Sequence, residues 1–439
     1  MATGYAELLR AKHAARLLAG TLIGRLPNAT AALAIVLFVR AEGGSYTLAG
    51  VLSAVYGAAT AVGQPALGRA VDLLGQPRVM VPAAALSALG MGVFALTGTD
   101  SLPLACALVF VAGLFTPPLE GGLRALWPSV LGREERVHAA YALDAVAQEL
   151  MFALGPLLVT LLVALWDEGA ALLVINVLGV LGALWVAASP PSRQWRSAPR
   201  EAHWLGALRA PGLLALLGAF FFVGLALGTI AVSAVAYADD HGDSLISSYL
   251  LSGLGAGALL GGLLYGARLW PGRPERRLRL LVAALAIGYL PLPLVPGVAA
   301  MTVLAGVAGV FLAPALACAF VVVDRHAPRG TVTEAFSWLV TTFGVGAALG
   351  TGAVGPVIEW GGASAGFAVA GAGGAAALGV LLATRRVLDA PAVRSGGAAV
   401  PVAASPPGPV PGPVPESGPA AENDRNGAAE PGFRTRHQA

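Results

Sequence analysis

The chain has 439 residues, of which 56% are hydrophobic and only 12% charged, with a formal net charge of +3. A soluble domain carries about a quarter charged residues, so a chain this apolar takes lipid as its solvent. Its basic charge is nearly all Arg, scattered over short loops without the stripe that a nucleic acid would need, so nucleic acid is excluded as a partner.

Twelve apolar runs follow one another, at about 17–39, 46–67, 79–98, 102–124, 138–165, 169–188, 212–237, 246–267, 279–296, 298–322, 332–356 and 363–383. Each is close to the length that crosses a bilayer as a helix, roughly twenty residues. Helix is the expected state, because backbone groups in lipid must pair within their own segment and these runs exceed barrel strands. Residues 1–16 are charged, and the run after them is too long for a signal-peptide core, so it reads as the first spanning helix. Gly is abundant, at 58 residues, which suits close approach of helices in lipid. Cys106 and Cys318 fall inside spans and read as inert buried thiols; no metal site and no cofactor is expected.

The loops alternate in charge. One set carries nearly every Arg, from Arg10 and Arg16 through Arg69, Arg78, Arg133, Arg136, Arg193, Arg196, Arg200 and Arg209, then Arg268 to Arg279, to Arg325, Arg329, Arg385 and Arg386. The other set holds Arg40 alone among acidic residues such as Glu42, Asp100, Asp167, Asp239, Asp240 and Glu359. The positive-inside rule then places both termini in the cytoplasm. The organisation expected is an N-terminal six-helix bundle at 1–188, a cytoplasmic linker at 189–211, a C-terminal six-helix bundle at 212–388, and a disordered Pro-, Ala- and Gly-rich tail at 389–439. Trp195, Arg196, Arg200, Trp204 and Arg209 suit the linker either to lie at the headgroups or to serve as a plain connection.

The two halves echo each other. Ala112-Gly113-Leu114-Phe115 with Pro118 in the fourth span matches Ala308-Gly309-Val310-Phe311 with Pro314 in the tenth, at an offset of 196 residues. Pro118, Pro314 and the pair Gly155-Pro156 in the fifth span are candidate helix kinks. Repeated halves around a midplane site are a common transporter plan.

Between the second and third spans lies Gly68-Arg69-Ala70-Val71-Asp72-Leu73-Leu74-Gly75-Gln76-Pro77-Arg78. This resembles the signature loop of the major facilitator superfamily, roughly G-x-x-x-D-R-x-G-R-[KR]. Gly68, Asp72 and Gly75 match, Arg78 supplies a nearby basic residue, and Leu73 and Gln76 stand where basic residues are usual. The resemblance covers about residues 10–388 and implies an all-α fold of twelve transmembrane helices in two six-helix pseudo-repeat bundles. It implies that Asp72 latches onto the start of the eleventh helix, near Thr331 and Thr333, when the carrier is closed inside. An N-terminal helix end offers free N–H groups and a positive dipole to such a carboxylate; a solvated turn is the plainer use of the residue. Gly155-Pro156 partly resembles the antiporter motif of the superfamily, although the flanking glycines are missing.

Ionisable groups inside spans are costly and face the protein interior or a wet cavity. Glu120 and Arg124 lie four apart on one helical face and can pair. Antiparallel counting along the fourth and fifth spans brings Asp144 to the depth of Glu120. Arg25 in the first span lies at a comparable depth, where it either faces Glu120 or an anionic solute or reaches to the inner headgroups. The set reads as a solute and proton pathway or as an ion pair holding helices together. Glu149, near the middle of the fifth span, reads as a proton-coupling carboxyl or as an acid held protonated by a neighbour. Glu334 is expected to sit at the start of the eleventh helix, where a negative charge suits the dipole. Phe115, Phe220, Phe221, Phe222 and Phe311 are candidates for contact with a hydrophobic solute or for packing.

The function expected is secondary active transport of a small organic solute by alternating access, coupled to protons and directed outward, in a bacterial inner membrane and by a monomer. An uptake permease or uniporter, and a sensor that keeps the fold without transport, stand as alternatives. No enzyme is expected, since no His cluster or nucleophile motif lies at the membrane face.

Overall fold

The computed structural model describes residues 5–199, 203–243, 245–268 and 270–390. Twelve helices are long and apolar enough to cross a membrane. They are α1 Ala14–Ala41, α2 Tyr46–Leu74, α3 Gln76–Thr97, α4 Leu102–Leu131, α5 Glu134–Leu165, α6 Glu168–Ala187, α7 Pro211–Asp240, α8 Leu245–Gly266, α9 Pro274–Leu294, α10 Val298–His326, α11 Val332–Ala353 and α12 Gly355–Ala383. The twelve expected spans are all present. Helix continues past the apolar run at several ends: α2 reaches Leu74, α9 begins at Pro274, and α12 begins at Gly355, with a kink at Gly362. The signature segment is therefore helical almost throughout, and Gly75 alone turns the chain, at φ 89°, before α3 starts at Gln76. The loop expected there shrinks to one residue, since only Gly takes that backbone conformation without strain.

Helices α4 and α10 are broken at matching places. α4 consists of Leu102–Leu114 and Leu119–Leu131, and α10 of Val298–Gly309 and Leu312–His326. Pro118 stands immediately before the second piece of α4 and Pro314 in the first turn of the second piece of α10. Pro156 by contrast lies inside an unbroken α5.

The repeat extends to packing. A side chain added at Gly63 of α2 would run into the Leu114 backbone of α4, and one at Gly113 into the Tyr56 carbonyl. Across α8 and α10 the same reciprocal contacts recur, Gly261 on the Val310 carbonyl and Gly309 on that of Leu254. With no hydrophobic gain between helices in lipid, backbone-to-backbone approach of this kind is what holds them.

The two bundles meet at their basic ends, where the Arg-rich loops lie. The first turns of α11, Val332 to Ser337, are buried throughout, whereas Leu349 near its other end is 51% exposed. α2 mirrors this, buried at Val71 and Asp72 and 72% exposed at Tyr46. The bundles are therefore packed together at the basic end. The short helix Tyr5–Arg10 lies across this closed end: the Tyr5 hydroxyl donates to the carbonyls of Gly262 (3.2 Å) and Leu263 (3.1 Å) in α8.

The linker between α6 and α7 runs along the same end. Arg69 donates to the carbonyls of Trp204 (2.7 Å) and His203 (3.3 Å), and Trp204 is exposed. Arg200 lies outside the described residues. So does the tail from residue 391 onward. Asp389, expected to begin that tail, is instead held by Arg279 at 3.1 Å.

Candidate functional site: a buried charge cluster and the closed end

Three helices of the N-terminal bundle converge on one charge cluster. α1 brings Arg25, the second piece of α4 brings Glu120 and Arg124 one turn apart, and α5 brings Asp144 and, one turn on, Gln148. Arg25 Nε lies 2.9 Å from Glu120 Oε1 and its Nη1 3.1 Å from Asp144 Oδ1. Arg124 Nε lies 2.6 Å from Asp144 Oδ2 and its Nη2 3.5 Å from Glu120 Oε2. Each guanidinium therefore faces both carboxylates. Gln148 Oε1 accepts from Arg124 at 3.3 Å and from Arg25 at 3.5 Å.

Arg124 and Asp144 are fully buried, Arg25 nearly so, and Glu120 is 12% exposed. Two positive and two negative charges cancel, which is the condition for keeping charges out of water. Arg124 Nη1 nevertheless has no hydrogen-bond partner. The other bundle closes over that group: the Arg124 guanidinium carbon sits 3.7 Å from the ring centre of Phe320 in α10 and 5.9 Å from that of Phe336 in α11. Tyr141 of α5 packs on both rings and donates to the Arg124 carbonyl at 3.4 Å.

Of the pathway residues expected from sequence, four thus come together. Glu149 does not join them. It lies half-buried in α5 with no hydrogen bond or ion pair among the described residues. Tyr289 of α9 is within electrostatic reach, and its hydroxyl is buried without a hydrogen-bond partner.

At the basic end Asp72 of α2 meets the start of α11. Its Oδ1 accepts from the Thr333 backbone N–H at 3.1 Å and its Oδ2 from that of Glu334 at 2.9 Å. These are free N–H groups at the start of α11, where the dipole also favours a carboxylate. Gly68, one turn earlier on α2, leaves room for Glu334 and Ser337 of α11; an added side chain carbon would sit 2.6 Å from Ser337 Oγ. Glu334 lies in the first turn of α11, as expected, and its Oε1 also accepts from the Ala207 N–H of the linker at 3.2 Å. Arg78 is exposed and makes no hydrogen bond or ion pair among the described residues. Gln76 does the fastening nearby, donating to the Gly122 carbonyl of α4 at 2.9 Å and accepting from Ser192 at 2.9 Å.

Gly155 is a packing notch in α5, where an added carbon would meet Thr30 of α1 at 3.2 Å. Phe220 is wholly buried in the core, so it packs and does not face a solute in this state. Sequence reasoning missed Gln148, Tyr141, Phe320 and Phe336. Gln148 was within reach, lying four residues after Asp144 on the same face; the aromatic cover belongs to the other bundle and has no local signal.

A family profile described as Major Facilitator Superfamily matches residues 17–305. The chain belongs to the major facilitator superfamily. Solved structures of this superfamily share the fold at low identity. A bacterial homologue of the iron transporter ferroportin in an outward-facing state is 15% identical, with a TM-score of 0.68, covering 85% of this chain and 99% of that one. The human organic anion transporter MFSD10 is 17% identical, with a TM-score of 0.62 and coverage of 83% and 99%. A variant of the E. coli fucose:proton symporter is 14% identical, with a TM-score of 0.61 and coverage of 84% and 97%. No curated protein matches the sequence. Membership of the superfamily makes the chain a multi-pass membrane transporter, and its structure is that of a member closed at one end.

Proposed function

We propose that this superfamily member exports a small organic solute from a bacterial cell in exchange for protons, by alternating access. The halves that move are 1–188 and 212–388, joined by the linker 189–211, with both termini cytoplasmic. The observation that carries the reading is the charge cluster of Arg25, Glu120, Arg124 and Asp144, sealed in this state by Phe320 and Phe336 of the opposite bundle. A cluster whose charges balance costs less to bury than unpaired charges would. Parting the basic ends strips the aromatic cover from Arg124 and opens the cluster to water and solute. Ionisable groups placed this way inside a membrane belong to solute or proton paths.

Glu149 supports the proton assignment, as a carboxyl in a span that no guanidinium neutralises. Outward direction rests on the partial antiporter motif at Gly155-Pro156. An uptake reading has a specific point in its favour, since the fucose:proton neighbour is a symporter by name.

The test is transport in proteoliposomes under an imposed pH gradient, with a panel of amphipathic organic solutes chosen from metabolites that differ between deletion and overexpressing cells. Export predicts lower cellular retention on overexpression and proton-driven movement in vesicles. Higher retention would establish uptake, and the absence of any solute movement would leave a sensor on a carrier fold.

A further inference from the structure

A second polar chamber lies between the bundles at the basic end, away from the charge cluster. It has a volume of about 360 Å³ and is bounded by the start of α5, the end of α8, the α8–α9 connection and the end of α10. Its place in the pseudo-repeat is informative. At one seam, the end of α2 meets the start of α11, and the Asp72 carboxylate joins them. At the other seam, the end of α8 meets the start of α5: a side chain added at Gly262 would strike Val146, and one at Gly266 would strike Ala142. No carboxylate stands at the end of α8. The chain there reads Tyr265-Gly266-Ala267-Arg268, and Arg133 at the start of α5 gives no side-chain cap.

The chamber is instead lined by Arg268, Arg277 and Arg325. Arg277 Nη1 donates to the Tyr265 hydroxyl at 3.3 Å, while its Nε is buried with no hydrogen-bond partner. Arg268 is exposed and makes no hydrogen bond or ion pair among the described residues. Arg325 lies 3.5 Å from Glu275. Two acids also line the wall, Glu134 and Glu135, but both are on the exposed first turn of α5, and Glu134 faces His138 at 3.6 Å. Trp270 stacks on Tyr265, ring centres 5.2 Å apart, and is 42% exposed. An exposed aromatic beside several guanidinium groups is the chemistry that receives a phosphate attached to something apolar. Guanidinium forks match phosphate oxygens in pairs, and the volume is that of a small-ligand site.

We propose that this chamber binds a phosphate-bearing anion, either the phosphodiester of a lipid headgroup or a soluble phosphomonoester, held by Arg268 and Arg277 on the α8–α9 side of the seam with α5.

The test uses the purified full chain in maltoside detergent, which carries no phosphate. One arm titrates short-chain phosphatidylglycerol and counts adducts by native mass spectrometry. The other titrates glycerol 3-phosphate by calorimetry. The expected result is saturable binding in at least one arm, weakened tenfold or more by Arg268→Gln with Arg277→Gln and unchanged by Arg40→Gln at the far end. Binding of the lipid alone assigns the bilayer as the source, and binding of glycerol 3-phosphate assigns the phosphate group itself. Should the double variant fail to fold, the exposed Arg268→Gln alone must still weaken binding about threefold. Binding in neither arm, or equal binding by wild type and the Arg268 variants, overturns the site. Because no transport is measured, either outcome leaves the export reading where it stood.

Discussion

Replacing Asp72 with Asn removes one negative charge from the start of α11 and keeps the shape of the side chain. In the native protein both carboxylate oxygens accept backbone N–H groups, at 3.1 and 2.9 Å. An amide oxygen can keep one of these bonds, and its NH2 then faces the remaining N–H, donor to donor. A hydrogen bond to a charged group contributes about 1.5–3 kcal/mol, and a carboxylate at a helix start adds about 0.3–1 kcal/mol. The expected loss is about 2–3 kcal/mol, which shifts the ratio of closed to open basic ends about 30- to 160-fold toward open. Ser337, 2% exposed beneath Gly68, is a reporter position. In a Ser337→Cys background, Asp72→Asn should raise the alkylation rate at that position from the basic side by a similar factor. Turnover should slow more than solute affinity changes, since Asp72 touches the gate and not the charge cluster. An unaltered alkylation rate in a folded Asp72→Asn protein would refute the latch.

Asp144→Asn leaves two buried guanidinium groups with one carboxylate and should cost about 3–5 kcal/mol of stability, read as a lower melting temperature; adding Arg25→Gln restores the balance and should recover part of it. Glu149→Gln should fold normally and abolish pH-driven transport while solute exchange without a gradient persists, and retained proton coupling would reject the assignment. Phe320→Leu removes the aromatic face over Arg124, worth about 1–2 kcal/mol where the cation is dry, so spin-label distances between the basic ends should widen. Burial pushes the Tyr5 hydroxyl up to about 12. Its raised value means that docking on α8 is fully kept below about pH 10, the ordinary phenol value, and lost as pH rises toward 12; protection of residues 5–10 from proteolysis should fall over that window and be weaker throughout in Tyr5→Phe.

The architecture was legible because it is written in periodicity and charge. Twelve apolar runs and the one-sided Arg set the helices, and the Ala-Gly-x-Phe repeat marked the two places where α4 and α10 break. The charge cluster was legible in part for the same reason: Glu120, Arg124 and Asp144 follow from spacing along two adjacent antiparallel helices. What spacing could not supply was any partner from the other bundle. Phe320 and Phe336 look like ordinary lipid-facing or core aromatics until tertiary packing sets them over Arg124. Glu334 shows the same limit. Its place in the first turn of α11 follows from spacing, but the linker N–H of Ala207 that its carboxylate also meets comes from far away in sequence.

One turn of α4 ties the latch to the cluster. Glu120 and Arg124 point into the cluster, whereas the residues between them face the gate: an added carbon at Gly121 would sit 3.0 Å from the Thr333 carbonyl and 3.2 Å from Ser337, and the Gly122 carbonyl accepts from Gln76. Thr333 is also the residue whose N–H Asp72 holds. When α11 withdraws from Asp72, it must withdraw from Gly121 in the same movement, and Phe336, one turn along α11, leaves Arg124 with it. On the proposed alternating-access reading, the guanidinium then loses its aromatic cover while its carboxylates remain, and Nη1, which has no hydrogen-bond partner among the described residues in the closed state, is the donor offered to a solute. Packed helices shift between discrete arrangements more readily than they deform, so release of the latch and exposure of Arg124 should occur as one event. Variants at Gly121 should therefore alter gate accessibility and solute affinity together, and Asp72→Asn should do the same to the extent that it populates the open state. Separate responses of gate and cluster in Gly121→Ala would show that α4 does not carry the coupling.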